Sequence, residues 1–160
     1  MKYFSLPELV WSATASQLGL DNTPSAEDRR HLEELVRELL DPLREAWGQY
    51  CDRHDLGTPA LRVTSGYRGF RLNRAVGGSQ TSAHCRGYAA DLVPMNGCLP
   101  AFKRFTREWL ADRPFDQMIS ERESSDGTPR WVHLGLRSPH NTQSRQLLTM
   151  RHGKYLPMTE

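Results

Sequence analysis

No segment of the chain approaches the roughly 20 consecutive apolar residues that a membrane span requires. The opening stretch, Met1-Lys2-Tyr3-Phe4-Ser5-Leu6-Pro7-Glu8-Leu9-Val10-Trp11, is broken by Pro7 and Glu8 before an apolar run of signal-peptide length develops. Neither membrane insertion nor a secretory leader is expected, so synthesis is expected in the cytoplasm. An excess of charge of one sign is also missing. Lys and Arg number 21 against 19 Asp and Glu, a formal charge of +2, and they are dispersed among the acids, so no basic stripe recommends nucleic acid as a partner. Such a mildly basic surface still suits an anionic polymer such as a cell wall. Cysteine is scarce: Cys51, Cys85 and Cys98 are odd in number and lack CxxC spacing, which argues against a disulfide framework and a cysteine-based zinc knuckle. Cys85 adjoins His84, but neighbours on an extended segment point to opposite faces, so Cys85 reads as a buried free thiol. Repeats and low-complexity linkers are absent, and the 160 residues read as one domain, 1–160, with a core over about 6–136 and a polar tail over 138–160. A monomer is expected.

What is present is helical periodicity first and strand alternation later. Leu6, Leu9, Val10, Ala13 and Leu18 predict a first helix over Ser5 to Leu18, opened by a Ser5/Glu8 capping box. Ser25 and Asp28 open a longer helix whose apolar face is Leu32, Leu35, Val36, Leu39, Leu43, Ala46 and Trp47, with a kink or break at Pro42. From Leu61 the period changes to two. Leu61–Ser65, Tyr88–Val93, Phe115–Glu121 and Arg130–Leu136 read as strands, the last two as a hairpin with a long loop, and Leu99–Ala111 as a helix between them. The tail is expected to be irregular, with Gln143 to Met150 a short helix or frayed. The fold class is therefore α+β, helices packed on a small antiparallel sheet.

Two histidines and an aspartate stand out. His84 enters the Tyr88–Val93 strand, Asp91 lies in it beside the small Ala89, and His133 lies in the last strand on the face opposite Val132, Leu134 and Leu136. Three such ligands leave a fourth position of a zinc ion open, which marks a catalytic rather than a structural site. His-x6-Asp with one distant His is less specific than a helical HExxH. His31, His54, His140 and His152 have no partner at metal spacing and read as surface residues.

The segments Ser65-Gly66-Tyr67-Arg68, Ser82-x-His84-x-x-Gly87-x-Ala89-x-Asp91 and Trp131-Val132-His133 resemble the M15 family of zinc D-Ala-D-Ala peptidases, whose fold is shared by the hedgehog signalling domain. Asn22-Thr23-Pro24, Leu72-Asn73-x-Ala75-Val76-Gly77-Gly78-Ser79 and Phe115-Asp116-Gln117 are similar to the branch found in phages and bacteria. The resemblance implies that His84, Asp91 and His133 bind Zn2+, that Arg68 faces the substrate and acts in catalysis, and that Ser82 lies beside the site. Tyr67 and Trp131 are read as cleft walls or, for each, as aromatic packing alone. It further implies hydrolysis of peptidoglycan stem-peptide amides next to D-amino acids through zinc-activated water. That activity fits a phage lysis enzyme released through a membrane lesion, or an intracellular enzyme handling wall peptides. Family members place an acid three residues before the last zinc histidine, where this chain has Arg130. Glu121 is the expected replacement base: pairing Glu121 with Trp131 and Ile119 with His133 makes Glu121 and His133 diagonal neighbours, about 7–8 Å apart at Cα. A one-residue slip would turn it away and leave Glu123 or Asp126. The alternatives are a zinc-containing wall-binding or virion module without turnover, and an amidase.

Overall fold

The computed structural model describes residues 1–159. Its first helices are short. α1 spans Leu6–Val10 under the expected capping box, and α2 spans Ala13–Leu18. The sequence periodicity runs through both, but Ser12 adopts an extended conformation and its hydroxyl accepts from the Ala15 amide at 3.2 Å, so the single expected helix is two. The break leaves Trp11 extended and 68% exposed.

α3 (Ala26–Leu35) and α4 (Asp41–His54) form one rod joined by a wide π turn, Val36–Leu40. Pro42 has no amide hydrogen to give the carbonyl four residues back, and its ring crowds that turn. The helix answers by widening rather than breaking, and the Asp41 amide bonds five residues back to Val36. Leu32, Leu35, Val36, Leu39, Leu43 and Trp47 are buried as the apolar stripe predicts.

β1 (Leu61–Ser65), α5 (Phe70–Ala75), β2 (Ala89–Pro94) and α6 (Leu99–Trp109) follow, then β3 (Gln117–Glu121), β4 (Trp131–Gly135), β5 (Gln146–Arg151) and β6 (Lys154–Pro157). α5 had no counterpart in the sequence reading. The sheet has six strands in the order β1-β2-β4-β3-β5-β6. It corrects two expectations. The sheet is mixed, because β5 runs parallel to β3, and the tail forms two strands in place of an irregular segment or helix. Leu147 and Met158 of that tail reach the core, which therefore extends beyond Leu136. The β5–β6 turn is His152-Gly153, both at positive φ, the pairing that matches a tight hairpin's twist.

Alternation divides the sheet into two faces. Ala90, Leu92, Met118, Val132 and Leu134 join the helices in the core. Ala89, Asp91, Ile119, Glu121, Trp131 and His133 occupy the other face. The register pairs Glu121 with Trp131 and Ile119 with His133, the pairing on which the choice of Glu121 depended, and Asp91 with His133 across β2 and β4.

Glu123 and Asp126 do not share that face. Glu123 is buried against α6, where it accepts from Lys103 Nζ at 2.8 Å and from Ser120 and Arg151. Asp126 holds the tip of its own loop through Ser124 and Thr128. Burial works to raise the Glu123 carboxyl, but the three donors more than offset it and hold it below its usual range. The unfolded state then binds the proton more readily, so the stabilisation is present above about pH 4.3 and is lost as pH falls through the lower folded value. Glu123→Gln strands the buried Lys103 charge and should cost about 3 kcal/mol at pH 7 in denaturant titrations. The gap between the two proteins should close on acidification below about pH 4.

Candidate metal centre

His84 sits in a short 3-10 turn, Ala83–Arg86, capped by the Ser82 hydroxyl and ended by Gly87 in the left-handed region. Gly87 is the residue that fits, since a Cβ there would meet the Asp28 carbonyl oxygen at 2.5 Å. The His84 ring is buried, and its Nδ1 lies 2.7 Å from the Gly66 carbonyl oxygen. A carbonyl only accepts, so Nδ1 carries the hydrogen and Nε2 presents its lone pair. Gly66 is fixed in turn: a Cβ there would lie 2.2 Å from the Leu9 carbonyl oxygen, the group that accepts from the Tyr67 amide at 2.7 Å.

His84 Nε2 lies 3.2 Å from His133 Nδ1 and 3.3 Å from Asp91 Oδ1, and those two atoms are 2.9 Å apart. Adjacent donors of a tetrahedral ion with bonds of about 2.0–2.1 Å stand about 3.3 Å apart. The triangle therefore fits a metal ion held by three protein groups, the number that leaves a fourth position for water. All three residues are buried. Burial holds the His84 imidazole below its usual value against the pull of Asp91, so the ring stays neutral. Burial alone would raise the Asp91 carboxyl, but the His84 and His133 rings hold it well below the ordinary carboxylate range. Neutral imidazole and ionised carboxylate are the forms that bind a cation.

A family model described as Peptidase M15 matches residues 2–134. The chain belongs to the M15 peptidase family. Membership makes it a hydrolase of a metal-dependent family, and the six-stranded mixed α/β fold agrees with that of M15 peptidases. No curated protein matches the chain. The matched residues end just past His133, so the β5–β6 hairpin lies beyond them.

In this M15 peptidase Glu121 is buried on the metal face and makes no side-chain hydrogen bond or ion pair among the described residues. Burial raises its carboxyl above the usual range, with the His133 ring drawing it down and Asp91 adding to the rise. Arg130, where the sequence resemblance implies an acid, is exposed and lines a cleft of about 570 Å³ that Asp91 also lines. Arg68 lines the same cleft, its Nη2 3.3 Å from the Ser82 hydroxyl and its amide donating to the His84 carbonyl at 3.0 Å. Ser82 thus acts on the site by holding Arg68 and capping the His84 turn. Trp131 is a cleft wall beneath the Arg122 guanidinium. Tyr67 lends the cleft only an edge: it is buried, its hydroxyl donates to Asp28 at 3.3 Å, and burial with that carboxylate pushes the phenol up to about 12.

Cys85 is buried and free, outside the donor triangle. His54, His140 and His152 are exposed, as expected. His31 departs from that reading: it is half-buried, stacked on Tyr88 at 4.1 Å, with Nδ1 2.7 Å from the Arg86 carbonyl oxygen.

One residue that organises the site had no chemical signal in the sequence. Asn22 is buried and donates to the Val10 and Tyr67 carbonyls at 2.8 and 3.0 Å while accepting from the Gly69 amide at 2.8 Å. It clamps the backbone on both sides of Arg68 to the end of α1. Asn22→Asp faces two carbonyl oxygens with a carboxylate oxygen and should cost about 3 kcal/mol in chemical denaturation. Any activity that survives should show a raised KM as Arg68 loses its fixed position.

Proposed function

We propose that the protein is a zinc peptidase that hydrolyses amide bonds next to D-amino acids in peptidoglycan stem peptides. The observation that carries this reading is the buried donor triangle His84–Asp91–His133, with an unpartnered Glu121 on its face and Arg68 in the cleft beside it. Two histidines with a carboxylate and an open position suit zinc among the common metals. A bound ion would supply Lewis acidity, polarising an amide carbonyl and lowering the pKa of bound water toward about 7.

The chain's own groups supply the rest. Glu121 removes the proton from the attacking water and returns it to the departing amine, so its carboxylate is regenerated at each turnover. Arg68 pairs with a substrate carboxylate or steadies the oxygen that gains charge as water adds. Ser82 keeps the Arg68 fork in place. Peptidoglycan as partner, and arrival at the wall on phage lysis, rest on the sequence resemblance and on the mildly basic charge.

Mass spectrometry of purified peptidoglycan and synthetic stem peptides tests the reading, with zinc-loaded wild type beside a His84→Ala control. New peptide termini made by wild type alone are expected. Zinc bound stoichiometrically without cleavage of several wall types would favour the second reading, a wall-binding module, which Arg130 at the usual acidic position supports. Release of intact stem peptide would instead indicate an amidase.

A further inference from the structure

The cleft carries more cationic charge than one substrate carboxylate requires. Arg62, Arg68, Arg122 and Arg130 all line it, and Asp91, already engaged by two histidines, is its one acidic lining residue. None of the four makes an ion pair among the described residues, whereas Arg29, Arg86, Arg137 and Arg151 each find a carboxylate elsewhere on the surface. Uncompensated guanidinium groups converging on a concave surface focus a positive potential that draws anions. Arg122 lies over the Trp131 ring, its guanidinium carbon 5.3 Å from the centroid, and its side chain makes no hydrogen bond or ion pair among the described residues. Trp11, 68% exposed, stands at the other wall because Ser12 splits the first helical run.

We infer that Arg62, Arg122 and Arg130 form a subsite for a second carboxylate, so that the enzyme prefers acidic peptides whose extra carboxylate lies beyond the residue that Arg68 engages. The inference rests on the peptidase reading for the identity of the ligand as a peptide. It also gives Arg130 a role: the position that carries an acid in family members serves substrate recognition here, while Glu121 supplies the carboxylate near the metal. Planar guanidinium forks suit bidentate recognition of carboxylate, and three of them bordering one cleft accept it from more than one approach. All three side chains are exposed, so they are available to a ligand and their replacement leaves the core intact.

The test uses a set of short peptides with a free C-terminus, in which Glu is exchanged for Gln at one internal position at a time. Binding is measured by calorimetry on zinc-loaded Glu121→Gln, and hydrolysis on zinc-loaded wild type. At one position the Glu peptide should bind at least about 10-fold more tightly than its Gln partner at low salt, and the preference should shrink as salt screens the cleft. Adding Arg62→Gln and Arg130→Gln should erase the preference, the Glu peptide losing at least about 10-fold more affinity than the Gln peptide. Equal affinity for Glu and Gln at every position overturns the subsite, even if wild type hydrolyses all the peptides. A Glu preference without hydrolysis of any peptide upholds the subsite and overturns the peptidase reading instead.

Discussion

Glu121→Gln should lower kcat by about 10²–10⁴-fold while leaving metal content and fold unchanged. The substitution keeps the shape of the side chain and removes only its ability to take a proton. Glu121 makes no contact that would be lost: it has no hydrogen-bond or ion-pair partner among the described residues, and it lies outside the donor triangle. Its diagonal relation to His133 follows from the β3–β4 register, which places it about 7–8 Å away at Cα, within reach of a water at the open position. The kcat/KM profile of the wild type should show an acid limb, because a protonated Glu121 accepts no proton, and that limb should vanish in the variant. A variant that keeps full activity would move the base elsewhere. Glu123 is a poor refuge, since its carboxylate faces α6 and is held by Lys103 and Arg151.

The site was more legible in the sequence than its surroundings were. His84, Asp91 and His133 could be read because the resemblance implies them as ligands, and strand alternation agrees by placing Asp91 and His133 on one face. The position of Glu121 depended on a supposed β3–β4 register, and the structure has that register. The tail was misread because β5 has little polarity contrast and its partner is a parallel strand. Gln146-Leu147-Leu148-Thr149-Met150 lacks clean alternation, and nothing local announces pairing with β3. One signal was available there, the His152-Gly153 pair between two short runs. Asn22 stood in a segment that carries the resemblance, but nothing in the sequence announced its role in the site. Its three hydrogen bonds go to backbone groups of Val10, Tyr67 and Gly69, and a backbone acceptor leaves no trace in residue identity. The arginine cleft was hidden for a related reason: Arg62, Arg122 and Arg130 are dispersed in sequence and meet only when β1, β2, β4 and β3 pair.

Zinc at about 100 times its dissociation constant should stabilise the wild type by about 2.7 kcal/mol, and His84→Ala should show no such gain. For a chain of this length that is a rise of about 5–10 °C in Tm, read by thermal denaturation with and without a chelator. The expectation follows from the geometry of the His84 ring, which donates through Nδ1 to Gly66 and presents Nε2 to both other ligands. Removing it takes away one donor and the link between the donor triangle and the α1 end of the cleft. The sign of the pH dependence is fixed by the same burial. His84 is held below its usual value when folded, so the unfolded chain binds the proton more readily. The contribution of the neutral ring is present above about pH 6.5 and is lost as pH falls through the lower folded value. Protons and zinc compete for the same lone pair, so the zinc-dependent rise in Tm should also shrink on acidification. An equal rise in His84→Ala would place the metal at another histidine, such as the exposed His54, His140 or His152, and would remove the donor triangle from the chemistry.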